Sequence, residues 1–264
     1  MPAIPYWHVD AFASEAFTGN QAAVMVFAEG FPDDATMQRI GEENNFAETA
    51  FLVPHDGTDA DWQLRWFTPE IEIGLCGHAT MAAGHAMLAD SGADEVRFLT
   101  RKAGVLTVRR AGSGYEVALP LIATAPDTFE AAVKALGAAP RAVQTSPDRY
   151  NLFLYSDEPT VRGLAPDFKA LAALGDHQFI CSAPGDRTDV VSRVFVPGAG
   201  VDEDAVTGSA HSVLTHYWTG RLGRDCFTAH QASRRGGDLT CRIDGDLAWL
   251  GGHCVTILEG TFRY

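Results

Sequence analysis

Positive charge is scarce in this chain. Twenty lysines and arginines stand against 34 aspartates and glutamates, for a formal net charge of −14. A surface this acidic repels phosphate backbones and anionic lipid heads. The nearest thing to a basic run is the pair Arg234-Arg235, so neither nucleic acid nor membrane is expected as a partner. No apolar run approaches the roughly 20 residues of a membrane span. The opening MPAIPYWHVDAF has no basic segment followed by an apolar one, so no signal peptide is expected. The five cysteines (Cys76, Cys181, Cys226, Cys241 and Cys254) are odd in number, widely spaced and without a CxxC pair. That reads neither as a disulfide framework nor as a zinc site. A cytoplasmic protein with reduced thiols is the expectation.

Familiar catalytic signatures are missing as well. There is no HExxH, no Walker loop and no GxSxG elbow. Gly198-Ala199-Gly200 lacks the third glycine and the following helix of a dinucleotide fingerprint. No metal and no cofactor is therefore expected. An anionic substrate would have to find its positive potential in something other than a lysine or arginine cluster.

What is present is an ordinary core. Of 264 residues, 46% are hydrophobic, enough for one large domain or two of modest size. Ile4 to Phe12, Ala22 to Phe27 and Glu48 to Pro54 read as strands, rich in β-branched and aromatic residues. Trp62 to Phe67 alternates apolar and polar residues with period 2. Met37, Ile40 and Gly41 recur at helical spacing within Ala35 to Glu43, with Asp33 or Asp34 available as N-cap. After Gly77 the run HATMAAGHAML predicts a helix buried nearly all round. A similar design returns after Thr207-Gly208-Ser209, in AHSVLTHYW ending at Gly220. Ser192 to Val196, Leu239 to Ile243 and His253 to Leu258 predict strands around it.

Two halves thus share one logic, in which strands lead to a glycine turn and then to a buried helix. The boundary is expected near Leu119 to Pro126, giving an N-terminal lobe of residues 1–120 and a C-terminal lobe of residues 121–255. One mixed α+β domain is the alternative.

Three segments carry candidate chemistry: Asn44 to Thr49, Leu75 to Thr80, and Asp202 to Ala210. A glycine just before a helix lets a ligand reach free backbone N–H groups, and the helix dipole favours a negative charge there. Two such termini, at Gly77 and Gly208, could cradle a carboxylate without Lys or Arg. Two ordinary turns into core helices is the plainer account. Glu48 sits among Phe46, Ala47 and Phe51. A carboxylate in apolar surroundings has its charged form disfavoured, which suits it to exchange protons near neutral pH; an exposed acid at a strand edge is the alternative. His78 is a candidate acid/base or simply a helix-start residue. Asp204 is a candidate proton partner or a solvated loop acid. Ser209 is a candidate substrate ligand or a helix-start stabiliser. Cys76 is either reactive, through the helix terminus, or a small buried hydrophobe.

Taken together and in order, VDAF, GNQAAV, NNFAETAFLV, RWFTPEIEIGLCGHAT and RVFVPGAGVDEDAVTGSAH resemble the PhzF family of phenazine biosynthesis. The resemblance spans Val9 to Thr80 and Arg193 to His211, and Ala123 to Val190 carries no motif that matches. It implies an α+β, diaminopimelate epimerase-like fold. In that fold two similar lobes each wrap a β-barrel-like sheet around a central helix, with the active site between the lobes. The last strand, residues 256–264, can return to the first lobe. The resemblance further implies a cofactor-independent isomerase, a biosynthetic role and a homodimer. Residue by residue, Glu48 resembles the family's general acid/base, and His78 and Asp204 its hydrogen-bonding and proton-handling partners. Gly77, Thr207, Gly208 and Ser209 resemble the contacts of a small carboxylate substrate. Gln21 departs from the pattern, standing where many members have proline.

Racemases of the same fold use one cysteine on each lobe. Cys76 resembles the first of these, but the counterpart of the second falls at Thr207, whose hydroxyl cannot serve as a thiolate. Half of the thiol machinery is thus missing. An amino-acid racemase using Cys76, or a binding protein without turnover, remains the rival expectation.

Overall fold

The computed structural model describes residues 3–264. The chain divides into two compact units: Met1–Leu119 joined by Gly251–Tyr264, and Pro120–Leu250.

The first unit opens with β1 (Ala3–Ala11), β2 (Asn20–Val26), α1 (Asp34–Asn44), β3 (Glu48–Pro54), β4 (Trp62–Phe67) and β5 (Glu72–Ile73). It continues with α2 (Gly77–Leu88), β6 (Glu95–Thr100), β7 (Val105–Ala111) and β8 (Gly114–Pro120). Its sheet runs β1-β2-β3-β4-β6-β7-β8. The β2–β3 and β4–β6 pairs are parallel and the others antiparallel. A terminal strand, Cys254–Arg263, lies antiparallel along the free side of β1. Because β2 and β3 are parallel, they need a crossover, and α1 supplies it. Asp33 caps α1 by accepting from the Thr36 N–H at 2.8 Å. Met37, Ile40 and Gly41 turn inward onto a core with Met25, Phe51 and Phe67. Buried Arg65 holds β4 to its surroundings through Glu72 and Asp34, each at 2.8 Å.

Strands β1, β2, β3, β6 and β7 and the terminal strand all pack against α2. That explains its composition: a helix touched from every side has no face for charge. Residues Gly77 to Gly84 are buried without interruption. Gly84 is required by the fit, since a Cβ there would lie 2.3 Å from Val108 Cγ1 on β7.

The second unit holds β9 (Ala125–Asp127), α3 (Glu130–Leu136), β10 (Ala142–Thr145), β11 (Tyr150–Leu154), α4 (Glu158–Arg162), α5 (Phe168–Ala172) and β12 (Gln178–Pro184). β13 (Val190–Val196), β14 (Val201–Asp204), α6 (Gly208–Leu222), β15 (Cys226–Gln231), β16 (Gly237–Asp244) and β17 (Leu247–Gly252) follow. Strands β9 to β13 are neighbours in chain order, antiparallel except for the β11–β12 pair. Next to them, β15 runs parallel to β13 and antiparallel to β16.

Period-2 alternation sends successive residues of β12 to opposite sides. Ser182 accepts a hydrogen bond from Trp218 Nε1 of α6 at 3.0 Å. Phe179, Cys181 and Ala183 face a separate core with Ala132, Leu136, Val161 and Leu171 from the three short helices α3 to α5. Aspartates cap two of these: Asp157 accepts from the Thr160 N–H, and Asp167 from the Ala170 N–H. Among the described residues no helix is long and apolar enough to cross a membrane.

Candidate active site

In the first unit the site gathers where β2, β3 and α2 begin. Gly19, at φ +66°, turns the chain into β2; a Cβ there would lie 2.3 Å from the Ala11 carbonyl oxygen. Asn20 follows, opposite Ala11 in the β1–β2 ladder, and is buried. The parallel ladder sets Glu48, the first residue of β3, beside Ala22 of β2. Cys76 is the N-cap of α2 but makes no side-chain capping bond, so the first-turn N–H groups are left without the partner that Asp33 gives α1. His78, in that first turn, reaches Glu48, with Nε2 and Oε2 2.9 Å apart. The contact is an ion pair rather than a well-aligned hydrogen bond. On the other edge of the imidazole, Nδ1 lies 3.2 Å from Asn20 Nδ2 and 3.6 Å from Cys76 Sγ.

Burial pushes the Cys76 thiol up to about 11, and the charge of Glu48 adds to the effect. The thiol form is therefore the one favoured at neutral pH. For His78, burial alone favours the neutral ring, but the negative charges of Cys76, when ionised, and of Glu48 outweigh it and raise its pKa well above 6.5.

Glu48, Cys76 and His78 each offer one metal-ligating atom within 4.8 Å of the others. The three groups lie against one another, and His78 also against Asn20.

The second unit repeats the helix start without the imidazole. Thr207 is the N-cap of α6, again without a side-chain capping bond, because its hydroxyl donates to Asp204 Oδ2 at 2.6 Å. Gln231, wholly buried at the end of β15, clasps this loop. Its Nε2 donates to the Asp204 carbonyl at 2.8 Å and the Thr207 hydroxyl at 3.2 Å, and its Oε1 accepts from the Thr207 N–H at 2.8 Å. Ser209 Oγ accepts from Gln178 Nε2 at 3.1 Å and also bonds the Tyr150 phenol, which burial holds above its ordinary pKa. Both of these partners, an amide and a phenol, are neutral hydrogen-bonding groups. His211 is structural: its Nδ1–H donates to the Thr207 carbonyl at 2.8 Å, and burial lowers its pKa to about 4.

The residues named from sequence therefore form two sets. Glu48, Cys76, Gly77 and His78 come together in the first unit, and Asp204, Thr207, Gly208 and Ser209 in the second. Asn20, Tyr150, Gln178 and Gln231 were missed. Asn20 lies inside the quoted GNQ motif; the other three are single polar residues in strands and carry no local signal. Gln21, the departure from the family pattern, reaches His8, with its Nε2 3.2 Å from the ring Nε2. His8 in turn stacks on Phe46 at 4.2 Å between centroids.

The family model for phenazine biosynthesis-like proteins (PhzC-PhzF) matches residues 9–260. An uncharacterized isomerase of Pseudomonas aeruginosa is 41% identical over 265 residues, covering 98% of each chain. The crystal structure of a PhzF-family phenazine biosynthesis protein from Enterococcus faecalis superposes with a TM-score of 0.88 at 38% identity, covering 100% of both chains. A hydroxyproline epimerase from Agrobacterium vitis, at 12% identity and a TM-score of 0.61 over 98% of this chain and 92% of its own, shares the fold alone. The chain belongs to the PhzC-PhzF phenazine biosynthesis-like family, and its α+β fold is the one that family shares with the proline racemases and epimerases.

Proposed function

We propose that the protein is an isomerase that moves a proton between carbon atoms of a small unsaturated carboxylate, with Glu48 as the single general acid/base and no cofactor. The observation that carries this reading is the 2.9 Å pairing of Glu48 with buried His78 beside the uncapped start of α2. A carboxylate needs a hydrogen-bonding partner and partial exclusion from water to exchange protons with carbon. The names of several relatives as isomerases support the class.

In the proposed reaction Glu48 removes a proton from a carbon made acidic by the neighbouring unsaturated system. The electron pair delocalises along that system toward its far carbon. The protonated Glu48 then returns the proton there, leaving the enzyme unchanged and the double bond shifted. In the first unit the first-turn N–H groups of α2 are assigned to the charge that develops in the transition state, and in the second unit Ser209 and the start of α6 are assigned to a substrate carboxylate. Neutral donors of this kind answer the problem set by the net charge of −14. Asp204 is assigned to hydrogen bonding and proton handling through its bond to Thr207. Against racemisation by thiols stand a Cys76 that stays protonated up to about pH 11 and a hydroxyl, not a thiol, at Thr207.

Proton NMR of cyclic unsaturated amino acids in deuterated buffer, with wild type and Glu48→Gln side by side, tests the reading. Wild type is expected to exchange a carbon-bound proton, and Glu48→Gln to lose roughly 10²–10⁴-fold of that rate. A folded Glu48→Gln protein that exchanges at the wild-type rate would overturn the assignment.

A further inference from the structure

The terminal strand Cys254–Arg263 packs on β1 and α2 and pairs with β1 along one side. Among the described residues no strand pairs with its other side. Its register slips once, opposite His8 and Val9, and Leu258 to Arg263 then follow β1 without interruption. Pro5 stands opposite Thr261 and has no N–H to give, so the Thr261 carbonyl takes no bond from it. The stretch is open to solvent, with Leu258 51% and Tyr264 40% exposed. A long free edge with exposed apolar side chains recruits another strand, and proteins ordinarily blunt it with lysine or proline. Neither stands between Leu258 and Tyr264.

The order Leu258-Glu259-Gly260-Thr261-Phe262-Arg263-Tyr264 says which strand fits. Laid antiparallel against a second copy of itself, with Thr261 on the two-fold axis, it sets Leu258 opposite Tyr264, Glu259 opposite Arg263, Gly260 opposite Phe262 and Thr261 opposite Thr261. Aliphatic with aromatic, opposite charges and threonine with threonine are all favourable cross-strand pairs, and an aromatic ring covers an edge glycine. The faces agree as well. Leu258, Gly260 and Phe262 lie opposite His8, Tyr6 and Ile4, and Phe262 stacks on Tyr6 with centroids 5.8 Å apart. Both apolar pairs therefore fall on the face that already carries these rings. Other registers are worse. A two-fold at Glu259 or at Arg263 sets like charges opposite each other, and a slip of one residue turns the apolar face against the polar one. We propose that this strand is a dimer face, on which two copies of the chain join by antiparallel pairing of Leu258–Tyr264 about Thr261. The contact is isologous, so it closes at two copies, and it is independent of the reaction assigned to Glu48.

The test is sedimentation velocity of the full-length protein over a wide range of concentrations, with circular dichroism to confirm that each variant is folded. Wild type is expected to sediment as a dimer. Arg263→Glu sets like charges opposite each other twice, once on either side of the axis, and is expected to weaken the dimer roughly tenfold or more. The double variant Glu259→Arg/Arg263→Glu makes the charges opposite again and is expected to recover the wild-type dimer. On the axis, paired Cα atoms stand roughly 5.5 Å apart, within reach of a disulfide. Thr261→Cys is therefore expected to cross-link to itself under mild oxidation, with the linked peptide found by mass spectrometry. A wild-type monomer at every concentration would overturn the proposal. So would a dimer that Arg263→Glu leaves untouched, since its contact then lies on another face. A folded double variant as weak as Arg263→Glu alone would overturn the register.

Discussion

The starts of α2 and α6 can be laid side by side. Cys76 and Thr207 are the N-caps, Gly77 and Gly208 the first helical residues, and His78 and Ser209 the second. Both caps make no capping bond, whereas α1, α4 and α5 are all capped by aspartate. An aspartate at either central helix would fill the N–H groups and repel a carboxylate. The difference lies at the second residue. In the first unit an imidazole lies 2.9 Å from the Glu48 carboxylate. In the second, a hydroxyl is surrounded by an amide and a phenol, neither of which ionises near neutral pH. On the proposed reading, one frame serves once to move protons and once to hold a ligand still.

That division of labour can be broken by comparing variants on the two sides. Glu48→Gln, the largest effect, is expected to fall on kcat. Ser209→Ala is expected to act on binding instead, raising KM and lowering kcat/KM about 10–100-fold. That corresponds to roughly 1.5–3 kcal/mol for a hydrogen bond to a charged group, and steady-state kinetics would read it. A Ser209→Ala variant that loses kcat as completely as Glu48→Gln would erase the distinction.

The histidines sharpen the comparison at a smaller scale. His211 is held neutral by burial, with a folded pKa near 4 against 6.5 for an ordinary histidine. The unfolded chain therefore binds the extra proton first as pH falls. The stability contributed is full above pH 6.5 and is lost progressively toward pH 4, at up to about 1.4 kcal/mol per pH unit. Urea unfolding of wild type and His211→Gln across that window is expected to show a shallower acid loss in the variant.

Smallest of all is the expected effect of Cys76→Ala. Since burial pushes the thiol up to about 11, turnover is expected to persist within several-fold of wild type. Complete loss in a folded variant would return the thiol to the centre of the chemistry.

Much of the first unit was legible in the sequence because its signals are long or local. Glu48–Pro54 and Trp62–Phe67 are strands with the expected bounds, and Asp33 is the cap of α1. The central helices could be read from apolar runs bounded by glycine, although α6 continues to Leu222, past Gly220, where a Cβ would meet nothing. Residues 123 to 190 were opaque for a physical reason. Helices α3, α4 and α5 have seven, five and five residues, too short to display a helical period. They are stabilised by the Phe153–Phe179–Phe195 face of the sheet rather than by their own pattern. The same limit hid half of the site's support. Gln178 meets Ser209 across 31 positions and Gln231 meets Thr207 across 24, and no window of sequence holds both partners.

The pairing of β1 with Cys254–Arg263 has a consequence for how the protein is made. A ribosome delivers β1 first, but the strand that closes its free side emerges only after the entire second unit. For most of synthesis Ala3–Ala11 is an open sheet edge, the kind of surface that recruits stray strands. The first unit is therefore finished last. Shortening or blocking that strand is expected to harm the unit that carries Glu48, although the change lies some 200 residues along the chain from it.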